Sequence, residues 1–357
     1  MSNMKEMIVA LDGSGQFQSI QAAVDCIPDN NETRVNIHVK KGVYHEKVFI
    51  DKPFVSLLGE DADNTVVEYG DYALMKGPDG QAIRTFWTYT LFAGGRDFKA
   101  ENLTIVNSAG KGDVVGQAVT AYVDGDRAQF VNCRLIGNQD TLFTGPLPPY
   151  PLTVKTFGGP RDGHPRLKSR QYYKNCYIRG DIDFIFGSAT AVFDACEVFS
   201  NRLKPGQESY ITAPSTPEAE KYGYVFVNCR LTGDAEPKSV YLGRPWRNFG
   251  KAAFINCRMG PHIREEGWHN WDKPESEKTT EFAEYNSTGP GGEAARDGCS
   301  CRESSAGGRV SRGNVTGGRV SWAKQLTPEE AELYGIEKVL SGQDGWNPQV
   351  DTSPYQV

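Results

Sequence analysis

The stretch RQYYKNCYIRGDIDFIFG, Arg170 to Gly187, holds two patterns that bear on the fold and on the chemistry. The first is the tetrapeptide NCYI around Cys176, which returns along the chain as NCRL at Cys133, ACEV at Cys196, NCRL at Cys229 and NCRM at Cys257. Successive cysteines lie 43, 20, 33 and 28 residues apart. That spacing is too irregular for a helical solenoid of fixed period, but it suits stacked coils with loops of varying length. The second pattern is GDIDFIFG, Gly180 to Gly187. Strict strand alternation sends Ile182, Phe184 and Phe186 to a core face and Asp181, Asp183 and Ile185 to the other. Asp183 then sits beside bulky apolar neighbours, where burial raises the cost of its charge.

Working outward, the flanking segments RVNIHV (Arg34 to Val39), VSLLG (Val55 to Gly59), NLTIVN (Asn102 to Asn107) and YVFVN (Tyr224 to Asn228) are β-branched or aromatic and bounded by turn residues. Helical patterns are confined to SIQAAVDCIP near the start and TPEEAELYG near the end. Glycine contributes 39 of 357 residues, more than the roughly 7% average, as a turn-rich β architecture requires. The pattern predicts an all-β fold, a right-handed parallel β-helix whose coils bury their inner faces by stacking, with a short N-terminal helix capping one end. A β-sandwich or propeller is the alternative that pattern alone leaves open.

Composition narrows the function. The formal net charge of −6 disfavours a nucleic-acid partner, which calls for a basic patch or stripe. There is no apolar run of the ~18 residues a membrane span needs. The short run Met7 to Leu11 falls below the ~7–15 apolar residues of a signal-peptide core, so the expectation is a cytoplasmic protein or one whose leader has been removed. Among the eight cysteines there is no Cys-x-x-Cys pair, and a recurrent slot argues for buried free thiols acting as small hydrophobes. No metal site and no cofactor are expected.

A solenoid of this type offers long lateral grooves for an extended polymer. Candidate chemistry lies in GQAVTAY (Gly116 to Tyr122), GNQDTLF (Gly137 to Phe143) and YLGRPWR (Tyr241 to Arg247). With GDIDFIFG these supply two carboxylates, two primary amides, an arginine and a tryptophan, a set suited to acyl chemistry on a sugar. Gln117 and Gln139 are 22 residues apart, about one coil, so their amides can converge. A serine-hydrolase route has little support, since no G-x-S-x-G occurs and none of the five histidines stands in a recognisable motif.

Motifs in order along nearly the whole chain, DGSGQFQSIQAAVD (Asp12 to Asp25), KGVYHEKV (Lys41 to Val48), GNQDTLF, RQYYKNCYIRGDIDFIFG, YLGRPWR, EGWHNW (Glu266 to Trp271), EYNSTGPG and RVSWAKQLT, make the chain similar to the pectin methylesterases, or pectinesterases. These are carbohydrate esterases that remove methyl groups from esterified polygalacturonate. The resemblance implies the parallel β-helix reached above and a methyl-esterified galacturonan substrate, polymer or oligomer. It implies Asp183 as nucleophile, forming a covalent acyl-enzyme, and Asp140 as general acid, then base. It also implies Gln117 and Gln139 as oxyanion donors, Arg244 as the partner that orients Asp183, and Trp246 as a sugar platform. Phe143, Phe186 and Thr90 are expected to line the same groove. An arginine beside one of two neighbouring carboxylates should divide the pair, keeping Asp183 charged and Asp140 protonated.

Rival readings are a depolymerising pectate lyase or polygalacturonase on the same solenoid, and a non-catalytic carbohydrate-binding solenoid. Two segments depart from the family pattern. The Pro/Gly-rich run Thr144 to Leu167 is expected to be a long loop at the groove wall. The Gly/Ser/Arg-rich run Gly292 to Gly318, with Cys299 and Cys301, is expected to be a disordered insertion. The chain is otherwise read as one β-helix domain over 1–357, a monomer, with no partner beyond its substrate.

Overall fold

The computed structural model describes residues 5–293, 295 and 318–350. The stretch Arg170–Gly187 forms one coil and shows how the rest is built. Strand Arg170–Lys174 belongs to an eleven-stranded sheet, Tyr177–Gly180 to an eight-stranded sheet and Ile182–Gly187 to a seven-stranded sheet; Thr190–Asp194 then returns to pair in parallel with Arg170–Lys174. Repetition of this path gives three parallel sheets wrapped around one interior, a parallel β-helix, as the sequence predicts.

The recurrent slot is the corner between the first two strands of a coil. Asn102, Asn132, Asn175, Ala195, Asn228, Asn256 and Asn286 all adopt left-handed backbone, with φ between 50° and 55°. Asparagine tolerates this conformation better than other side chains with a Cβ. The side chains also stack: the Asn132 amide donates to Asn102 Oδ1 at 3.2 Å and the Asn286 amide to Asn256 Oδ1 at 3.0 Å. The cysteine that follows each of five corners is buried and free, and the Cys176 thiol donates to the Phe130 carbonyl at 3.4 Å.

Register places like residues over like in the interior. Phe130, Tyr173, Phe193, Phe226 and Phe254 are direct ladder partners from coil to coil, with ring centroids 5.1, 4.8, 4.4 and 4.4 Å apart and the rings nearly parallel. Offset ring stacking of this kind adds to the area buried. At the N-terminal end the helix Ile20–Asp25 buries Ile20, Ala23 and Val24 against the first coil. Ser19 caps the helix by accepting from Ala22 N, and Glu46 accepts from the Ile20 and Gln21 amides at 2.8 and 2.9 Å, so its first N–H groups are satisfied. Near the C-terminal end Arg319 and Glu284, both almost completely buried, pair at 2.6 Å, and Val320 and Trp322 pack on the core beside them. The predicted C-terminal helical stretch is the helix Pro328–Ala331, started by a Thr327–Glu330 capping box, then a 3-10 turn at Glu332–Tyr334 and a second helix Ile336–Leu340. The expected insertion, with Cys299 and Cys301, lies outside the described residues apart from Gly292, Glu293, Ala295 and Gly318. Among the described residues no helix is long and apolar enough to cross a membrane.

Candidate active site

Four coils deliver the candidate residues to the outer face of the seven-stranded sheet. Gln117 precedes strand Ala121–Val123, Gln139 and Asp140 precede Leu142–Thr144, Asp183 lies in Ile182–Gly187, and Arg244 follows Val240–Gly243. Stacking is direct: Ala118 N donates to the Gln139 carbonyl at 3.1 Å, and Asp140 N to the Ile182 carbonyl at 3.1 Å. Gln117, Gln139, Asp140, Asp183, Phe186, Arg244 and Trp246 all line one cleft of about 680 Å³.

The backbone at the two aspartates is unusual. Asp140 has φ 65° and Asp183 φ 50°, both left-handed and both in buried residues. Asp183 is also the extra residue of a β-bulge, because Ile182 pairs with Tyr210 but Ile185 pairs with Thr212, three residues against two. This overturns the strict alternation read from GDIDFIFG. Phe184 and Ile185 both pack in the main core, and Phe186 turns outward to the cleft. The bulge re-aims one carboxylate without unpairing the strand. Gly180 makes room for it, since a Cβ there would stand 2.3 Å from the Phe184 Cβ.

Asp183, 7% exposed, accepts two parallel hydrogen bonds from Arg244, Nε to Oδ1 at 2.8 Å and Nη2 to Oδ2 at 2.7 Å. The guanidinium is held flat between two rings, with its central carbon 3.7 Å from the centroids of both Tyr210 and Trp271. Tyr210 is fixed in turn by donating from its hydroxyl to Glu208 at 2.8 Å. Burial pushes the Asp183 carboxyl above its ordinary range, and Arg244, with a smaller contribution from Lys273, offsets only part of that push. Desolvation is thus the larger effect at Asp183, and the expected depression by the arginine the smaller. Asp140, 8% exposed, is pushed much further, by burial first and then by the neighbouring charges of Asp183 and, more weakly, Asp181, against a lowering pull from Arg244. The two carboxyls are therefore unequal: the one paired with Arg244 is raised less than Asp140. Among the described residues, neither the Asp140 carboxyl nor the side-chain amides of Gln117 and Gln139 make a hydrogen bond within the chain, so all three are available to a bound molecule.

Two of the expected groove residues are not in the groove. Phe143 faces outward from its strand, but Phe86 covers it edge-on at 5.0 Å and leaves it with no exposure. Thr90 is also fully buried, its hydroxyl donating to the Val106 carbonyl at 2.9 Å. Thr120 makes the same bond to the Ile136 carbonyl one coil on, so this is a coil-corner contact and not a substrate contact. Phe186 lines the cleft, and Trp246 stands edge-on to it at 5.8 Å and to Phe157 at 6.2 Å. The Pro/Gly-rich segment contains no strand between Thr144 and Arg170, and its residues Leu152, Val154 and Phe157 form one wall of the cleft. Arg161 ties it to Asp124 at 2.7 Å and to Asp51, and Arg247 reaches the Tyr150 carbonyl at 2.8 Å. Sequence reasoning missed Tyr210, Trp271, Phe157 and Lys273. Trp271 stands in the EGWHNW motif, and that motif was the one available signal.

Comparison with known proteins points to one family. The family model described as Pectinesterase matches residues 6–147 and 156–299, leaving out only part of the cleft-wall loop between them. The chain is 34% identical over 339 residues to Pectinesterase 31 of Arabidopsis thaliana, covering 93% of this chain and 90% of that one. Among solved structures it resembles pectin methylesterase from carrot, with 27% identity, TM-score 0.74 and coverage of 95% and 93%. It also resembles a pectin methylesterase in complex with a hexasaccharide, with 29% identity, TM-score 0.72 and coverage of 98% of each chain.

Proposed function

The chain belongs to the pectinesterase family, and from that premise we propose that its cleft hydrolyses methyl esters of polygalacturonate through an acyl-enzyme on Asp183. The observation that supports this reading best is the unequal pair: a buried carboxylate clamped by Arg244 beside a buried, unbonded Asp140, in one cleft with two free amides.

The steps follow from those positions. An Asp183 carboxylate oxygen attacks the ester carbonyl carbon, and the bidentate arginine keeps the attacking group ionised and aimed. The charge that develops on the carbonyl oxygen is met by the Gln117 and Gln139 amides, which have no competing bond to break. The bond from carbon to methoxy oxygen then breaks, and Asp140 gives its proton to that oxygen, so methanol leaves and an anhydride remains on Asp183. Asp140, now a carboxylate, takes a proton from water as the water attacks the anhydride. The products are the uronic acid, which loses its proton to solvent, the restored Asp183 carboxylate and the reprotonated Asp140. Trp246 and Phe186 offer apolar ring surface to the pyranose beside the reacting ester.

The substrate reading extends to oligomers. A pectin methylesterase of this fold has been crystallised with a hexasaccharide, and the cleft here is open along one side of the solenoid. The test is methanol release from methyl-esterified polygalacturonate with the polymer length followed in parallel. Methanol without shortening is expected; chain cleavage, or no methanol at all, overturns the reading.

A further inference from the structure

Next to the catalytic cleft lies a second cavity, of about 630 Å³, that the reaction above does not use. The two share a wall. Ala82 and Arg84 line both, and on the single 3-10 turn Thr85–Trp87 the residue Phe86 faces the cleft while Trp87 faces the second cavity. Arg84 holds the partition in place from a left-handed backbone, φ 68°, by donating to the Thr156 hydroxyl at 3.2 Å and to the Thr156 carbonyl. Trp87 is 44% exposed and, among the described residues, its ring meets no other aromatic ring, although its carbonyl is pinned by Lys47 Nζ at 2.7 Å. Across from it the turn at Gly77–Gln81, closed by Gly77 N to the Gln81 carbonyl at 2.8 Å, presents polar groups.

An exposed indole facing hydrogen-bonding groups is the arrangement that binds a pyranose ring, apolar on one face and polar at its edges. The charges lining this cavity sum to zero, Lys47 and Arg84 against Asp71 and Asp79, with Lys47 and Asp71 paired at 2.6 Å. A free uronate gains little from such a site, whereas a sugar whose carboxyl is esterified loses nothing by entering it. We propose that this second cavity is a distal binding site for the still-esterified part of the galacturonan chain that extends beyond the catalytic cleft past Arg84, with Trp87 as its stacking platform. This rests on the esterase reading above.

The test uses the full chain with esterified oligogalacturonides too short to reach beyond the cleft, and with the esterified polymer. Trp87→Ala should raise KM for the polymer about 5-fold, the worth of one aromatic contact, leave KM for the short oligomers and kcat for both unchanged, and be largely rescued by Trp87→Phe. An equal change for both lengths, or none, overturns the proposal. A second measurement does not depend on the alanine variant folding. In inactive Asp183→Asn protein, the indole N–H resonance of Trp87, assigned by its loss in Trp87→Phe, should shift with the esterified polymer and stay still with the demethylated one. A resonance that ignores the esterified polymer, or answers both alike, overturns it. Failure of the esterase reading itself would show separately, as absence of methanol from the unmodified protein.

Discussion

The eleven-stranded sheet turns Tyr172, Val192, Val225 and Ala253 outward, and the C-terminal segment closes over them with Val339 and Leu340, both buried. The seven-stranded sheet turns Phe92, Tyr122, Phe143 and Phe186 outward, and its covering loops stop short of Asp140, Asp183 and Arg244. Both outer faces begin as apolar surface on the same coil, and they differ in what covers them. The first is sealed by a helix and anchored at its edge by Arg170, which reaches Asp126 and Asp344 at 2.6 Å each. The second is left with a cleft, and two carboxylates are buried in its floor against their own hydration. One face therefore adds to stability, and the other gives some up for chemistry.

The largest effect that this contrast predicts is on the open face. Asp183→Asn should lower methanol release by at least about a thousand-fold, since an amide cannot form the anhydride, with unchanged circular dichroism. Asparagine tolerates left-handed backbone as aspartate does, so the bulge should persist. A folded Asp183→Asn protein that still releases methanol at a substantial rate would end the nucleophile assignment. Asp140→Asn should cost about 10²- to 10⁴-fold in kcat through loss of proton transfer.

The same two residues set the pH dependence. Asp183 must be ionised to attack, and burial raises it, so activity should fall on acidification at a pH above the ordinary aspartate range of 3.8. Asp140, which faces Asp183, Arg244 and Asp181, must hold its proton, so activity should fall again at higher pH, and the two limbs belong to the coupled pair. Stability follows in the opposite sense. Because the folded chain raises Asp140, the protonated carboxyl favours the fold below the unfolded value, and that contribution is lost as pH rises through the folded value. Asp140→Asn lacks this loss. Its Tm should exceed that of the parent by a margin that widens with pH, and a margin that narrows would contradict the buried, raised carboxyl.

The sealed face should answer in the other way. Leu340→Ala removes the most buried contact of the C-terminal cover, and should cost about 2–4 kcal/mol of stability in denaturant unfolding while leaving kcat at 25 °C unchanged. A drop in kcat without loss of stability would show that the two faces are coupled through the coils between them.

How far the sequence disclosed these features depends on whether they repeat. The coil corners, the stacked cysteines and the interior ring ladder recur, so the fold could be read from one slot and its spacings. The carboxylates, amides and Arg244 lay in short motifs carried by resemblance. What stayed hidden were contacts between distant segments, which no local pattern reports. The Tyr210–Arg244–Trp271 sandwich joins three coils, and Phe143 is buried only because Phe86 from another loop lies over it. The bulge at Asp183 was hidden for a different reason. Inserting one residue reverses the phase of the strand, so period-two reasoning placed Phe186 in the core when it lines the cleft.

The smallest effect tests what left-handed backbone is for on the two sides of the molecule. At the cleft it is held by Asp140 and Asp183, where aspartate serves the chemistry; along the corner ladder it is held by asparagine at six of seven positions, and the seventh is Ala195, φ 53° and exposed. Alanine has no polar side chain to support this conformation, which costs a residue with a Cβ roughly 1–2 kcal/mol. Ala195 stands one coil from Asn175 and one from Asn228, since Asn175 N donates to the carbonyl of Asp194 and Ala195 N to that of Val227. If the ladder is a backbone device with no other task, Ala195→Asn should fill its one gap and stabilise the protein by about 0.5–1 kcal/mol, with kcat and KM unchanged. A neutral or negative change in unfolding free energy would mean that the asparagines matter for contacts specific to each corner, and not for the shared conformation.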